Sequence, residues 1–210
     1  MAYEKEKIYV GRKGDGIKMN KPLISYVVTA YNIEKYVKES VNCAFAQTYS
    51  PLEIVLSDDC STDHTFDIMK RMAEEYKGPH KIILNRNEKN LGIAKHMNRA
   101  YLELASGEII IAAHGDDISR PERTEKSFLY FNEHPEVTAL SFSIDAINEE
   151  GKILKEHSAN VDEVHTYTFE KGGNIPAPSR AFYKKVLTIF GPLNDDCPTE
   201  DELISFRALM

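Results

Sequence analysis

Residues 108–121 read EIIIAAHGDDISRP, and the order of chemical types along them decides the fold. Ile109 to Ala113 is apolar throughout and has the length of a strand buried on both faces. Asp116 and Asp117 follow the run, and Pro121 stands where a helix takes its first turn. Strand, acidic loop and helix make up the repeating half of a parallel sheet whose crossover helices cover both faces. Two adjacent carboxylates at a strand end repel each other and lose hydration. A divalent cation offsets both costs, because hard oxygen ligands suit Mg2+ or Mn2+. The other reading is a plain loop in which Asp117 or Ser119 caps the following helix. The stretch alone leaves both open.

The same alternation extends upstream. Leu23 to Thr29 is a β-branched run, and Ile33, Val37, Val41, Ala44 and Phe45 then recur at helical spacing to about Gln47. Glu53 to Ser57 is the second strand and ends on Asp58-Asp59. Ser61 or Asp63 can cap a helix whose inward face is Phe66, Met69, Met72, Ala73 and Tyr76. Lys81 to Leu84 is a third strand. Gly92 precedes a helix from Ile93 to Ala105, which Gly107 stops. Downstream of Val137 the pattern changes. Leu140 to Ile144 alternates, and the Asn148–Gly151 turn leads into Ile153-Leu154, which predicts a hairpin. His157 to Asn174 reads as a polar loop, Ala181 to Tyr183 as a strand, and Glu200 to Leu209 as a helix. Residues 1–21 read as an arm with a short strand at Ile8 to Val10.

The chain has 210 residues, 42% of them hydrophobic and 28% charged, which suits one sizeable globular domain. A net charge of -7 argues against a nucleic-acid partner held by general electrostatics. Three cysteines without metal-like spacing fit a reducing cytosol. No stretch has the length of a membrane span, and the N-terminus lacks the apolar core of a signal peptide. The expectation is a cytoplasmic protein, with peripheral contact at the inner membrane face left open.

In open parallel sheets, ligands bind outside the carboxyl ends of the strands. Here those ends carry Thr29-Ala30-Tyr31-Asn32 with Glu34, then Asp58-Asp59, then Asp116-Asp117. A nucleotide site explains the clustering: a carboxylate accepts from a base or a ribose, Tyr31 covers the base, and the last pair holds a metal on a diphosphate. Singly, each residue has a plainer role. Asp58-Asp59 can begin a turn, Tyr31 can be core, and Asn32 can cap a helix. Arg86 and Lys95, near element ends, are either phosphate contacts or surface charges.

The blocks PLISYVVTAYN (22–32), EIVLSDDCSTDHT (53–65), NLGIAKHMNRA (90–100), SGEIIIAAHGDDISRPER (106–123) and TEDELISFR (199–207) together resemble the family 2 glycosyltransferases. The resemblance runs from about Pro22 to Arg207 and is densest up to Glu125. It implies an α/β GT-A fold: a Rossmann-like, mostly parallel sheet flanked by helices, with a C-terminal antiparallel hairpin region on the acceptor side. Residues 22–135 would be the nucleotide-sugar half and 136–210 the acceptor half. It implies a metal-dependent, inverting transfer of a sugar from a nucleotide-diphospho-sugar, a UDP-sugar by family tendency, to a glycan or lipid-linked acceptor. By resemblance, Ala30, Tyr31 and Glu34 line the nucleoside pocket and Asp59 reads the base. Gly92 lets backbone approach the donor, with Lys95 near its phosphates. Asp116 and Asp117 form the Mn2+ or Mg2+ site, and Asp201 is the catalytic base. Without the resemblance, Glu200-Asp201 reads as a charged first helical turn.

Two departures stand out. The family motif commonly has an acid where this chain has His114, whose imidazole either ligates a transition metal or bonds a ribose hydroxyl. Family members also commonly continue beyond the position of Met210, so the sequence is either trimmed or a short form. Three rivals remain. A nucleotide-sugar-binding domain without transferase activity shares every donor feature. A phospho-receiver domain needs a Lys after a later strand. A dinucleotide oxidoreductase needs a G-x-G-x-x-G after the first strand, which is missing here.

Overall fold

A computed structural model describes residues 21–142, 144–148, 151–155, 164–165, 179–194, 203–204 and 207–208. The apolar runs form strands β1 (Ile24–Ala30), β2 (Leu52–Asp58), β3 (Lys81–Arg86) and β4 (Ile109–His114). They pair in parallel in the order β3-β2-β1-β4, with Val27 opposite Val55 on one side and Ala112 on the other. Every residue of β1 and β2 is buried, which is why those runs are largely apolar rather than alternating, and among their polar members Ser25 and Glu53 pair with each other (2.7 Å).

The crossovers are helices α1 (Val37–Phe45), α2 (Thr65–Glu75) and α3 (Ile93–Asn98), and α4 (Arg123–Glu133) follows β4. Ile24, Tyr26 and Val28 pack with Val37, Val41, Met69 and Phe128 on one face of the sheet. Val27 and Val55 pack with Ala94, Met97 and Tyr101 on the other. Phe66, expected on the inward face of α2, is only half-buried and lies under the Arg86 guanidinium, 5.0 Å from its ring centre.

The helix expected over Ile93–Ala105 is two kinds of helix. α3 passes at Asn98 into a π-helix, Arg99–Leu104, closed by the Ala105 amide on the Ala100 carbonyl (3.1 Å). The five-residue spacing sets both Ala100 and Ala105 against the sheet. Gly107 is not the cap. A Cβ there would lie 2.6 Å from the Ser25 amide nitrogen, so glycine lets this turn rest directly on β1.

Beyond α4 the sheet becomes antiparallel. Strand β5 (Ala139–Phe142) does not form the expected hairpin; it joins the main sheet. The hairpin is a separate ribbon of β6 (Ala146–Ile147) and β7 (Ile153–Lys155), its turn closed by the Gly151 amide on the Asn148 carbonyl (2.9 Å). Burial decides between the two: Ala139 and Leu140 are covered by the sheet and its helices, while Ile147, Ile153 and Leu154 stay exposed. Part of the expected polar loop, Val164–His165, is strand β8 on the far side of β5. Strand β9 (Arg180–Tyr183) inserts between β4 and β5, antiparallel to both, and leads into α5 (Lys185–Thr188). Among the described residues the sheet therefore has seven strands, in the order β3-β2-β1-β4-β9-β5-β8. Leu203, Ile204, Arg207 and Ala208 are helical, within the helix expected there. The expected strand at Ile8 to Val10, and most of the 157–174 stretch, lie outside the described residues.

Candidate active site

The strand order reverses between β1 and β4, and a switch point of this kind opens a crevice at the carboxyl ends. Three loops meet there, after β1, β2 and β4. The first two are sewn together. Asn32, held at φ 52°, accepts from the Thr62 amide (2.8 Å), and its own amide donates to Ser61 Oγ (2.9 Å). The Ile33 amide donates to Thr65 Oγ1 (2.8 Å). Glu34 accepts from the His64 amide (2.9 Å), while its own amide donates to Asp63 (3.1 Å). Asn32 thus closes the loop pair rather than capping α1. Tyr31 projects beside it, 45% exposed, and Ala30 is buried with its carbonyl on the Asp59 amide.

At the end of β2, Asp58 accepts from the amide and hydroxyl of Ser61, and Arg86 Nε stands 3.5 Å away. Arg86 also donates to the Ser61 carbonyl (2.8 Å), so it braces this loop. Asp59, 3% exposed, accepts from Asn87 Nδ2 (2.7 Å) and from the Leu91 (2.9 Å) and Gly92 (3.0 Å) amides. Gly92 has φ 78°, which turns the chain into α3. Lys95 lies exposed on that helix. Beneath these loops runs a buried polar chain that the sequence did not disclose. His96 Nε2 meets Ser57 Oγ (2.9 Å), and Asn85 Nδ2 donates to Ser57 Oγ (3.1 Å) and Asn87 Oδ1 (3.0 Å). Burial lowers the pKa of His96, and the Asp59 and Asp58 carboxylates only partly oppose it.

At the end of β4 the arrangement is different. One ligand atom each from His114, Asp116 and Asp117 lie within 4.8 Å of one another. Asp116 is exposed; Asp117 is half-buried, with Oδ2 at 3.7 Å from His114 Nδ1. That oxygen is a buried atom with no hydrogen-bond donor among the described residues. Burial pushes the Asp117 carboxyl above its ordinary value, with Asp116 adding to the rise and His114 and Arg123 opposing it. A crowded carboxylate lacking a donor, beside a second acid and an imidazole, fits a divalent cation. The mixed oxygen and nitrogen set suits Mn2+, and the two carboxylates alone could take Mg2+. Neither Asp117 nor Ser119 caps α4, whose N-terminal residue Glu122 also makes no side-chain cap bond.

The acid loop is fastened from behind. Ser40 Oγ donates to the His114 carbonyl (2.8 Å), and Gln47 Nε2 donates to the Arg120 carbonyl (2.9 Å). Gln47 Oε1 accepts from the Thr124 amide (3.0 Å) and hydroxyl (2.6 Å). The Thr48 amide donates to the Pro121 carbonyl (3.0 Å). The expected catalytic base Asp201 lies outside the described residues. A cavity of about 340 Å³ opens at the opposite edge, where β4 begins, away from all of these groups. Lys184 in its wall is already committed to the Leu102 and Ala105 carbonyls. Among the described residues no helix is long and apolar enough to cross a membrane.

Comparison with known proteins agrees with this architecture. An uncharacterized glycosyltransferase of Methanocaldococcus jannaschii, MJ1057, is 33% identical over 174 residues, covering 80% of this chain and 58% of its own. The Bacillus subtilis protein TuaG, named as a proposed teichuronic acid biosynthesis glycosyltransferase, is 32% identical over 123 residues, covering 59% of this chain and 46% of its own. The chain spans about half the length of the curated relatives it matches. In fold it is similar to residues 1–349 of S. aureus TarS in complex with UDP (TM-score 0.69, 23% identity, 89% of this chain and 54% of that one). It is also similar to the mannosyltransferase PcManGT of Pyrobaculum calidifontis, in complex with GDP-Man and Mn2+ (TM-score 0.68, 20% identity, 88% and 51%). Residues 25–190 match the family description "Glycosyl transferase family 2", and on that extent of agreement this chain belongs to that family.

Proposed function

We propose that this chain carries the donor-binding domain of a metal-dependent, inverting glycosyltransferase of polysaccharide or cell-surface glycan synthesis. The donor is a nucleotide-diphospho-sugar, with a UDP-sugar first among the candidates, and the acceptor is a hydroxyl of a glycan or lipid-linked saccharide. The observation that carries this reading is the meeting of His114, Asp116 and Asp117 at the switch point, with Asp117 Oδ2 buried and lacking a donor among the described residues. Its support from relatives lies in their names: glycosyltransferases, one of them tied to teichuronic acid. Fold neighbours carry UDP, UDP-GlcNAc, or GDP-Man with Mn2+.

In this reading Tyr31 covers the base, and Ala30, Glu34 and Asp59 shape the nucleoside pocket. The Gly92 turn brings backbone close to the donor, with Lys95 beside its phosphates. Asp116 and Asp117 hold Mn2+ or Mg2+, which when bound supplies Lewis-acid neutralisation of the charge on the diphosphate. Asp201 is assigned as the base that takes the acceptor proton, a role worth roughly 10²–10⁴ in rate for a well-placed group. Titration calorimetry of UDP, GDP and dTDP, with and without Mn2+ or Mg2+, tests the donor site. One nucleotide should bind in a metal-dependent way, and Asp117→Ala should abolish the metal-dependent part. Absence of nucleotide binding under every metal would end the donor-site reading. With binding established, sugar transfer lost in Asp201→Ala but with binding intact would support the assigned base.

A further inference from the structure

Arg123 opens α4, and the donor-site reading gives it no task. It is 7% exposed, with its guanidinium inside the molecule. Nη2 donates to the Ala112 carbonyl (2.6 Å) and the Arg180 carbonyl (3.1 Å), and Nη1 donates to Ser119 Oγ (2.9 Å). The Tyr26 ring lies 5.8 Å from the guanidinium carbon.

The two carbonyls belong to different strands. The last rung of the β4–β9 ladder joins Ile111 to Ala181, and the next would join Ala112 to Arg180. A single arginine nitrogen takes the place of that rung. Beyond it β4 keeps its pairing with β1, through His114 opposite Thr29 and the Gly115 amide on the Thr29 carbonyl (2.9 Å). Among the described residues its ladder with β9 has ended. The guanidinium thus parts the two strands just before His114, and its other arm holds a hydroxyl two residues beyond Asp117. Ala112 and Ser119, which flank the 114–117 stretch two residues to either side, are tied to one planar cation. Arginine holds all three acceptors because its donors form a rigid fork, whereas lysine, a single point of charge, could hold only part of the set.

We propose that Arg123 is a positioning residue for the metal loop: it ends the β4–β9 ladder and pins Ser119 so that Asp116 and Asp117 converge on one cation. The inference rests on the reading that these carboxylates hold a divalent metal.

The test follows Mn2+ alone by the loss of its free-ion electron paramagnetic resonance signal. It compares the wild-type chain with Arg123→Met, Arg123→Lys, Ser119→Ala and Tyr49→Phe. Arg123→Met should weaken Mn2+ binding about 10–100-fold, the range for lost outer-shell partners of metal ligands, and Arg123→Lys should recover part of that. UDP binding without metal should stay within about twofold of wild type in Arg123→Met, a split that general damage would not give. Tyr49→Phe keeps the ring and removes only a hydrogen bond to the Pro22 carbonyl, at the opposite end of β1 from the loop, and should lower Tm while leaving Mn2+ affinity unchanged. Wild-type affinity in Arg123→Met would overturn the proposal, as would equal weakening in Tyr49→Phe or a lysine variant no better than methionine. If Arg123→Met does not fold, Ser119→Ala decides: several-fold weaker Mn2+ at unchanged Tm supports the proposal, and wild-type affinity sinks it. Absence of Mn2+ binding by the wild type would end the cation-site reading and this role with it. Wild-type binding that none of the Arg123 and Ser119 variants alters ends only the role of Arg123.

Discussion

At the end of β2, Asp58 and Asp59 are 0% and 3% exposed, and serine, asparagine and backbone donors already surround their oxygens. At the end of β4, Asp116 is exposed and Asp117 has a buried oxygen that no described group serves. The same dipeptide, placed at the same end of neighbouring regions of one sheet, serves as scaffold in one place and, in the proposed reading, as a ligand pair in the other. What separates them is the supply of donors. The 85–92 turn folds back over β2, and among the described residues no equivalent turn supplies donors to the Asp117 oxygen.

That contrast breaks most sharply under substitution at Asp117. Replacing it with alanine should weaken metal-dependent nucleotide binding by about 100-fold or more, beyond the usual loss for a mere outer-shell partner. Thermal unfolding should show Tm unchanged or raised, because a crowded, desolvated carboxylate has gone. Asp59→Ala should do the reverse. Losing an acceptor of three internal hydrogen bonds should cost about 3 kcal/mol in urea unfolding, and nucleotide binding without metal should suffer as well. If both variants behaved alike, the division of labour between the pairs would be wrong.

A pH series sharpens the comparison further. Burial depresses the His96 pKa, so the unfolded chain takes up the proton first, and stability should fall as pH drops below about 6.5. Glu53 acts lower. Burial opposes its ionisation, but hydrogen bonds from Ser25 and Ser106, with Lys81 nearby, hold its pKa below the ordinary value. Its contribution is present above the unfolded value and lost as pH falls through the folded one. Chemical unfolding at stepped pH should therefore show two declines, and His96→Gln should remove the upper one alone. The smallest effect is expected at Cys60, between Asp59 and Ser61, whose φ of 61° is left-handed. Cys60→Gly should stabilise by about 0.5 kcal/mol, since a Cβ is disfavoured there and the thiol gives up only a long, weak bond to the Glu88 carbonyl (3.7 Å). Asn32→Gly should not, because it forfeits the bond to Thr62.

β1, β2 and β4 were legible because burial on both faces leaves largely apolar runs, and the edge strand β3 through its short run Ile82-Ile83-Leu84; their parallel order put both strand-end Asp-Asp pairs on one edge. The positions of Asp116 and Asp117 followed from that alone. The sequence did not disclose that Asp59 is already engaged, since its partners Asn87, Leu91 and Gly92 come from a turn whose path is set by packing. It also hid the insertion of β9 between β4 and β5, a pairing of segments some seventy residues apart. Arg123 did leave a signal. It shares a helical face with Ser127 and Phe131, at four-residue spacing, and a cation on a buried face asks for an explanation.

The bonds of Ser40, Gln47 and Thr48 to the 114–124 loop have a consequence in time. A loop carried by α1 and α4 opens only when those helices do, so its amides should exchange with solvent at the rate of the core. Donor arrival would then meet a cation site already in shape. Any slow step in the binding cycle would belong to other parts of the chain, and the carboxylates of β4 would act as the fixed post against which those parts close.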